Sequence, residues 1–271
     1  MKKLFLGSVA LVALGLAAPA AFAAERPVPY TPPPPPVPVY TWTGCYVGAS
    51  AGNSNGRSEH TTTGNSLLTT QPGGIPTLAP IPAGSSIAGD LNLSGFIGGF
   101  EGGCNYQVGA WVFGVEVDGS ATNKAGQNFE TGLVPFTGVG SASFISQTQE
   151  RWLVTARGKL GMTWWDKSMV YVTGGAAWAK IDTSEFLVGN QTGTGHQESN
   201  TRTGWTVGAG WEYALGYGWS IKGEYLYVKF DDYTTFTTPP FGGAGGNIAP
   251  RSVKLYDNII RAGMNYKIGW Y

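Results

Sequence analysis

The stretch RWLVTARGKLGMTWW, residues 151–165, decides the fold because its side chains alternate strictly in character. One set is Arg151, Leu153, Thr155, Arg157, Lys159, Gly161 and Thr163; the other is Trp152, Val154, Ala156, Gly158, Leu160, Met162 and Trp164. Period-two alternation of this kind indicates a β-strand with two unlike faces. In a soluble protein the tryptophan face would be the core, whereas in a membrane barrel it would contact lipid.

The start of the chain and its composition favour an exported membrane barrel. Residues 1–23, MKKLFLGSVALVALGLAAPAAFA, have the basic start, the short apolar run and the A-x-A site of a cleaved secretory signal peptide. Beyond them, no apolar run reaches the length of a membrane-spanning helix. Charged residues make up only 13% of the chain, and glycine and aromatic residues are abundant. The charge balance gives no indication of a nucleic-acid-binding surface.

The prolines divide the chain into domains and loops. Residues 24–40, AERPVPYTPPPPPVPVY, carry eight of the 17 prolines, which predicts an extended periplasmic tether that could also contact the cell wall. Residues 41–271 form the predicted barrel, because the remaining prolines separate stretches of alternating character. The eight predicted strands are 41–52, 93–107, 111–122, 149–164, 169–183, 203–214, 218–231 and 254–268. The predicted long connections are 53–92, 123–148, 184–202 and 232–253.

The spacing of the tryptophans and the sorting of the loops predict which face is outside. Trp152 and Trp164 are twelve residues apart, or about 40 Å along a strand, and tilting the strand reduces this to about 30 Å across a membrane. The predicted aromatic girdle consists of Trp111, Trp152, Trp164 and Trp219. Short connections at one end and long ones at the other are typical of outer-membrane barrels. Placing Arg or Lys against lipid would cost about 2–4 kcal/mol each, so the charged face is predicted to line the lumen.

Several stretches of the chain have a familiar pattern, among them WTGCYVGASAG (42–52), WLVTARGKLGMTWWDKSMVYVTGGAAWAKI (152–181) and NIIRAGMNY (258–266). They resemble the small outer-membrane β-barrel family of Gram-negative bacteria, whose members are often named outer-membrane immunogenic or porin-family proteins with an OmpA-like barrel. The resemblance implies an all-β, eight-stranded antiparallel transmembrane barrel with short periplasmic turns, long antigenic external loops and a structural or porin-like role. It also implies outer-membrane lipid, lipopolysaccharide and the barrel assembly machinery as partners. Gly263, Tyr266 and Ile268 fit the assembly signal of the last strand, and Tyr271 is an alternative terminal aromatic.

Eight charged residues are predicted to form one belt inside the lumen. They are Glu101, Glu116, Arg157, Lys159, Glu212, Lys222, Glu224 and Arg261. An eight-stranded barrel is only wide enough for side chains to fill it, so a plug of paired charges is the favoured interpretation. A path for ions or small solutes through the same belt is the alternative.

The sequence favours a structural, surface-exposed protein over an enzyme. His60 and His196 lie in predicted external loops, and no acid or nucleophile lies at a spacing from them that would indicate a catalytic pair. No catalytic residue, metal site or cofactor is therefore predicted. Cys45 and Cys104 lie at similar heights on adjacent predicted strands, which is compatible with a disulfide and also with two free thiols. A narrow channel, or adhesion and ligand binding through loops 53–92 and 232–253, remain the alternative functions. The oligomeric state is left open.

Overall fold

The computed structural model describes residues 40–63, 67–68, 83–84, 90–136, 140–165, 167–188, 194–235, 246–247 and 251–269. The predicted signal peptide, the tether up to residue 39, and Tyr271 lie outside this set. The strands are β1 Gly44–Thr62, β2 Leu67–Leu68, β3 Asp90–Val108, β4 Trp111–Thr122, β5 Ala125–Phe136, β6 Gly140–Thr163, β7 Ser168–Val188, β8 Thr194–Gly216, β9 Trp219–Phe230, β10 Tyr233–Thr235, β11 Gly246–Asn247 and β12 Arg251–Ile268.

The strands close into an antiparallel ring of eight, which confirms the predicted fold. In order around the ring they are β1, β3, β4, β6, β7, β8, β9 and β12, and β12 pairs back with β1. β5 continues the wall of β4, because both pair with β6. β2 and β11 pair with each other in a separate two-stranded sheet. Within the described residues, no helix is long and apolar enough to cross a membrane.

Three tight turns close one end of the ring, here called the lower end. They join β3 to β4, β6 to β7 and β8 to β9. Gly109 and Gly218 have φ angles of 59° and 82°, which glycine adopts without a Cβ clash. Trp165 and Tyr217 have φ angles of 62° and 52°, so each of these turns contains a left-handed residue. The lower end therefore corresponds to the predicted short connections.

The strands continue further at the upper end than the sequence predicted. β6 begins at Gly140 rather than at 149, and β7 ends at Val188 rather than at 183. The extensions pair in register, with Gln147 opposite Ser184 and Ser184 opposite Gln197. Polar side chains made these segments resemble loops, but the hydrogen bonds of a β-ladder join backbone groups and do not require apolar side chains. Much of the predicted loops 123–148 and 184–202 is therefore strand.

The two faces of the opening stretch separate as predicted, except at one residue. Thr155, Arg157 and Lys159 are buried inside, whereas Leu160 is exposed on the outer wall. At the upper end Glu150 pairs with Ile181 and Trp152 pairs with Lys180, so Arg151 is the extra residue of a β-bulge. The expectation that Arg151 shares the inner face is wrong. The bulge shifts the alternation by one residue, so Arg151 is exposed and Glu150 is buried.

Candidate functional site

The eight residues of the predicted charge belt all lie inside the ring, each no more than 5% exposed. They are Glu101 on β3, Glu116 on β4, Arg157 and Lys159 on β6, Glu212 on β8, Lys222 and Glu224 on β9, and Arg261 on β12. Asp118 of β4 is buried among them and belongs to the same network. We use "charge belt" for these nine residues.

Two arginines connect three acids at the centre of the charge belt. Arg157 donates from Nη1 to Glu224 over 2.9 Å and from Nη2 to Asp118 over 2.9 Å, and it also pairs with Glu116. Arg261 donates from Nε to Oε2 of Glu224 over 2.8 Å, and its Nη2 lies 2.7 Å from the same oxygen. Arg261 Nη2 also donates to Asp118 over 3.1 Å. Each arginine therefore contacts at least two carboxylates.

Two lysines contact Glu101 and Glu116. Lys222 Nζ lies 2.6 Å from Glu101 and 3.2 Å from Glu116, and Lys159 Nζ lies 2.8 Å from Glu116. The Tyr46 hydroxyl donates to Glu116 over 2.6 Å and accepts from Lys159 over 3.0 Å. Glu116 therefore contacts two lysines and an arginine. Charge-assisted bonds of this kind are what make a buried carboxylate tolerable.

Glycines on the inner wall make room for the tyrosines of this network. A Cβ at Gly103 would lie 2.6 Å from the Tyr46 hydroxyl, and one at Gly210 would lie 2.5 Å from the Tyr171 ring. Tyr171 donates to Glu224 over 3.1 Å. A larger residue at either glycine would therefore displace a ring that hydrogen-bonds to the charge belt.

A second buried ion cluster, which the sequence did not reveal, lies above the charge belt. Lys124 Nζ lies 2.7 Å from Glu150 and 2.5 Å from Asp257, and all three residues are at most 1% exposed. We call these residues the upper triad. Leu153 lies between Arg157 and Glu150 on the inner face of β6, and Ile259 lies between Arg261 and Asp257 on β12. Apolar side chains therefore separate the two ion clusters.

The segment before β1 closes the lower end of the lumen. Trp42 is 4% exposed and packs with Val112, Met169, Tyr171 and Ala214. Its backbone nitrogen donates to the Gln107 side chain over 2.8 Å, and Lys267 donates to the Thr41 carbonyl over 2.8 Å. Tyr40 packs edge-on against Trp42, and burial raises the pKa of Tyr40 to about 12. The end of the predicted tether is therefore fixed against the barrel.

Cys45 and Cys104 form a disulfide between β1 and β3. The two residues are direct partners in the ladder, and their side chains lie on the outer wall. Of the two alternatives that the sequence left open, the structure contains the bonded one.

The outer-wall tryptophans that the structure describes lie at two levels. Trp111, Trp164 and Trp219 lie beside the lower turns and are exposed. Trp152 lies about halfway along β6, where Trp178 and Trp205 on the next two strands extend its row. The four girdle residues proposed from the sequence are thus divided between two levels, three beside the lower turns and one further up the wall.

The remaining predicted positions lie as follows. His60 lies in β1 rather than in an external loop, is 1% exposed, and shares a 2.9 Å hydrogen bond with Ser58. His196 lies in β8, and its side chain is outside the described set. Gly263, Tyr266 and Ile268 lie in β12, which ends at Ile268. The residues that the structure describes contain no group of three His, Cys, Asp or Glu side chains that could hold a metal ion.

Comparison with known proteins gives one family and close relatives of matching length. The family described as "Outer membrane protein beta-barrel domain" matches residues 8–267. The 31 kDa outer-membrane immunogenic proteins of Brucella melitensis and Brucella suis are each 32% identical over 272 residues, covering 98% of this chain and all of theirs. The crystal structure of Neisserial surface protein A covers 83% of this chain and 98% of its own, with 14% identity and a TM-score of 0.36.

Proposed function

The chain belongs to the outer membrane protein β-barrel domain family, and on that premise we propose that it is a closed, structural barrel whose long loops form a surface antigen. Its place is the Gram-negative outer membrane, as for its Brucella relatives. The word "immunogenic" in the names of those relatives supports the antigenic role of the loops.

The proposal that the barrel is closed rests on the ion pairs that cross the lumen. Lys222 on β9 and Glu116 on β4 belong to strands four places apart in a ring of eight, which are opposite walls, and they meet at 3.2 Å. Arg157 on β6 and Glu224 on β9 are three places apart and meet at 2.9 Å. Side chains that meet across the full width of the barrel leave an ion no route that avoids breaking a buried pair. Trp42 and the apolar layer around Ile259 add further barriers below and above.

Planar-bilayer recording of the refolded protein tests this proposal. We expect no steady conductance from the wild type, and none from the control variant Lys229→Gln, which removes an exposed charge from the outer wall. Steady single-channel steps that shift in Arg157→Gln or Glu116→Gln would support the alternative, a narrow porin-like channel, and would contradict a closed barrel. Heat-dependent gel mobility establishes that each variant is folded.

The same geometry supports a non-catalytic role and a set of partners. The carboxylates of the charge belt are paired inside the barrel, where a macromolecular substrate cannot reach them. Outer-membrane lipid and lipopolysaccharide are the proposed partners of the outer wall. The barrel assembly machinery is the proposed reader of Gly263, Tyr266 and Ile268, and the cell wall is a proposed contact of the tether. Enzymatic assays of the folded protein with no measurable turnover would agree with this assignment.

A further inference from the structure

The ladder between β1 and β3 has few features that set its register. Residues 63–89 connect the two strands, so no tight turn determines which residues face each other. Three successive pairs on the outer face each contain a glycine or an alanine. They are Val47–Gly102, Ala49–Phe100 and Ala51–Gly98. Small residues give little cross-strand contact, and glycine-rich strands of this kind are prone to slip in register.

The ladder between β9 and β12 shows what the β1–β3 ladder lacks. These strands are also joined by a long connection, but large side chains face each other across them. Trp219 is opposite Tyr266, with ring centroids 4.9 Å apart, and Ile221 is opposite Met264. A slip of two residues would separate these pairs, so packing alone specifies their register.

The disulfide supplies the missing constraint on the β1–β3 ladder. Cys45 and Cys104 are direct partners, at the end of the ladder furthest from the long connection. Directly opposite residues have Cβ atoms about 5 Å apart, and a slip of two residues increases this distance to about 7 Å, which is too far for a disulfide. The bond therefore permits a single alignment of β1 on β3.

The bond lies within the lipid-facing part of the wall, away from water. Cys104 is four residues above Val108, which pairs with Trp111 beside the lower turns, so it lies about 10 Å inside that level. Val115, opposite Cys104, and Val47, next to Cys45 on the same face, are both exposed to lipid. Thiol–disulfide exchange requires a thiolate, and a charged thiolate is strongly disfavoured among apolar groups.

From these features we infer that the Cys45–Cys104 bond forms before the chain enters the membrane, by exchange with a reactive disulfide of a periplasmic protein, and sets the register of β1 on β3. One cysteine thiolate attacks the partner's disulfide, which gives a mixed disulfide and releases one partner thiolate. The second cysteine thiolate attacks the mixed disulfide. The partner leaves as a dithiol that carries both electrons and both protons. Because β1 also pairs with β12, the alignment set here extends to the ladder that closes the ring.

Two relocated bonds separate the setting of register from simple cross-linking. Both are built in the C45S/C104S background. R57C/N92C joins direct partners on the same face of the same ladder, whereas R57C/S94C joins positions two residues out of register. Each full-length chain is oxidised in urea and diluted into lipid vesicles, and heat-dependent gel mobility reports the folded barrel.

We expect oxidised R57C/N92C to fold as fast as the oxidised wild type, and C45S/C104S to fold roughly tenfold more slowly. A tenfold change corresponds to about 1.4 kcal/mol in the barrier, which is part of what closing a loop of this length is worth. Oxidised R57C/S94C should form no folded barrel until it is reduced. Equal acceleration by both relocated bonds, or an unchanged rate in C45S/C104S, would overturn the assignment of register to the disulfide.

Oxidation of folded barrels tests the order of the two events. Reduced wild type and reduced R57C/N92C are placed in lipid nanodiscs, which leave both ends open to water, and treated with glutathione disulfide. The introduced pair lies at the charged upper end, where Arg57 is 3.9 Å from Glu59 in the wild type. It should oxidise readily, and the native pair at least about tenfold more slowly because its thiolate would lose its hydration. Equal rates would contradict oxidation before insertion.

Trapping of newly exported chains tests the same order in Gram-negative cells, and it does not require the reduced wild type to fold. A maleimide added at successive times blocks the thiols that are still free. Chains that have not yet acquired heat-dependent mobility should already contain the bond. Folded barrels that carry free thiols and become oxidised later would overturn the inference. None of these outcomes depends on whether the lumen conducts.

Discussion

The lower and upper halves of the barrel interior satisfy buried charge in different ways. In the charge belt, five acids and four bases are interleaved, and Glu116 contacts Lys159, Lys222 and Arg157. In the upper triad, one ammonium, on Lys124, contacts both carboxylates. A network in which each charge has several partners can lose one of them and still compensate the rest, whereas the triad depends on one side chain. The two clusters are therefore expected to respond very differently to single substitutions.

The largest expected effect comes from removing the ammonium of the upper triad. Lys124→Met would leave Glu150 and Asp257 buried against each other without a cation. Breaking a buried pair in this way costs about 3–5 kcal/mol. The free energy of unfolding, followed in urea by the loss of heat-dependent gel mobility, should fall by that amount.

Two controls decide whether charge is the cause of that loss. The triple variant K124L/E150L/D257L removes all three charges together and should recover most of the stability, because buried ion clusters can often be replaced by apolar groups at little cost. Lys229→Met, at an exposed lysine of β9, should have almost no effect. A triple variant as unstable as Lys124→Met would show that packing, not charge, explains the loss.

The next effect in size concerns the disulfide of the outer wall. Cys45 and Cys104 are 59 residues apart in sequence, so their bond closes a long loop in the unfolded chain. Replacing both with serine should lower the free energy of unfolding by about 2–4 kcal/mol under oxidising conditions. The reduced wild type should match the double variant. An unchanged urea midpoint in both would contradict a stabilising role for the bond.

A single substitution in the charge belt should cost less than its counterpart in the upper triad. Glu116→Gln removes one acid, but Lys222 keeps Glu101 at 2.6 Å and Arg157 keeps Glu224 at 2.9 Å. The loss is then that of hydrogen bonds to charged groups, about 2 kcal/mol. The same urea titration compares it directly with Lys124→Met. A larger loss than in Lys124→Met would reverse the comparison between the two halves.

The difference between the halves also explains which residues the sequence could predict. From Leu153 to Trp164 the side chains alternate without interruption. Once the tryptophan face is assigned to lipid, Arg157 and Lys159 must therefore lie on the inner face. The bulge at Arg151 changes that parity, and nothing in the local sequence marks it as a bulge. Continued past Arg151, the parity of β6 would put Glu150 on the outer face, whereas it is buried inside.

The partners of Glu150 were missed for related reasons. Lys124 lies just beyond the end of β4, within a segment that was predicted to be a loop. Asp257 does share the parity of Arg261, but parity alone does not show that a side chain contacts two distant strands. Pairing across a lumen is set by strand order and register, which a single sequence does not contain.

The smallest expected effect on stability is that of Arg151→Gln. Arg151 lies on the outer wall, at the bulge that places Glu150 of the upper triad inside the barrel. Asp182 lies above the tryptophan row, outside the apolar span, where a hydrogen bond from the Ser199 hydroxyl and then the Arg151 guanidinium lower the pKa of its carboxyl. A lowered pKa contributes stability above the pKa of the unfolded chain, and this contribution is lost as the pH falls through the folded value.

Because the pair is exposed and Ser199 remains, the substitution should cost less than about 1 kcal/mol at pH 7 and still less at pH 3. Urea midpoints of the wild type and Arg151→Gln at the two pH values measure this difference. A loss close to that of Lys124→Met would mean that the bulge serves chiefly to stabilise the fold.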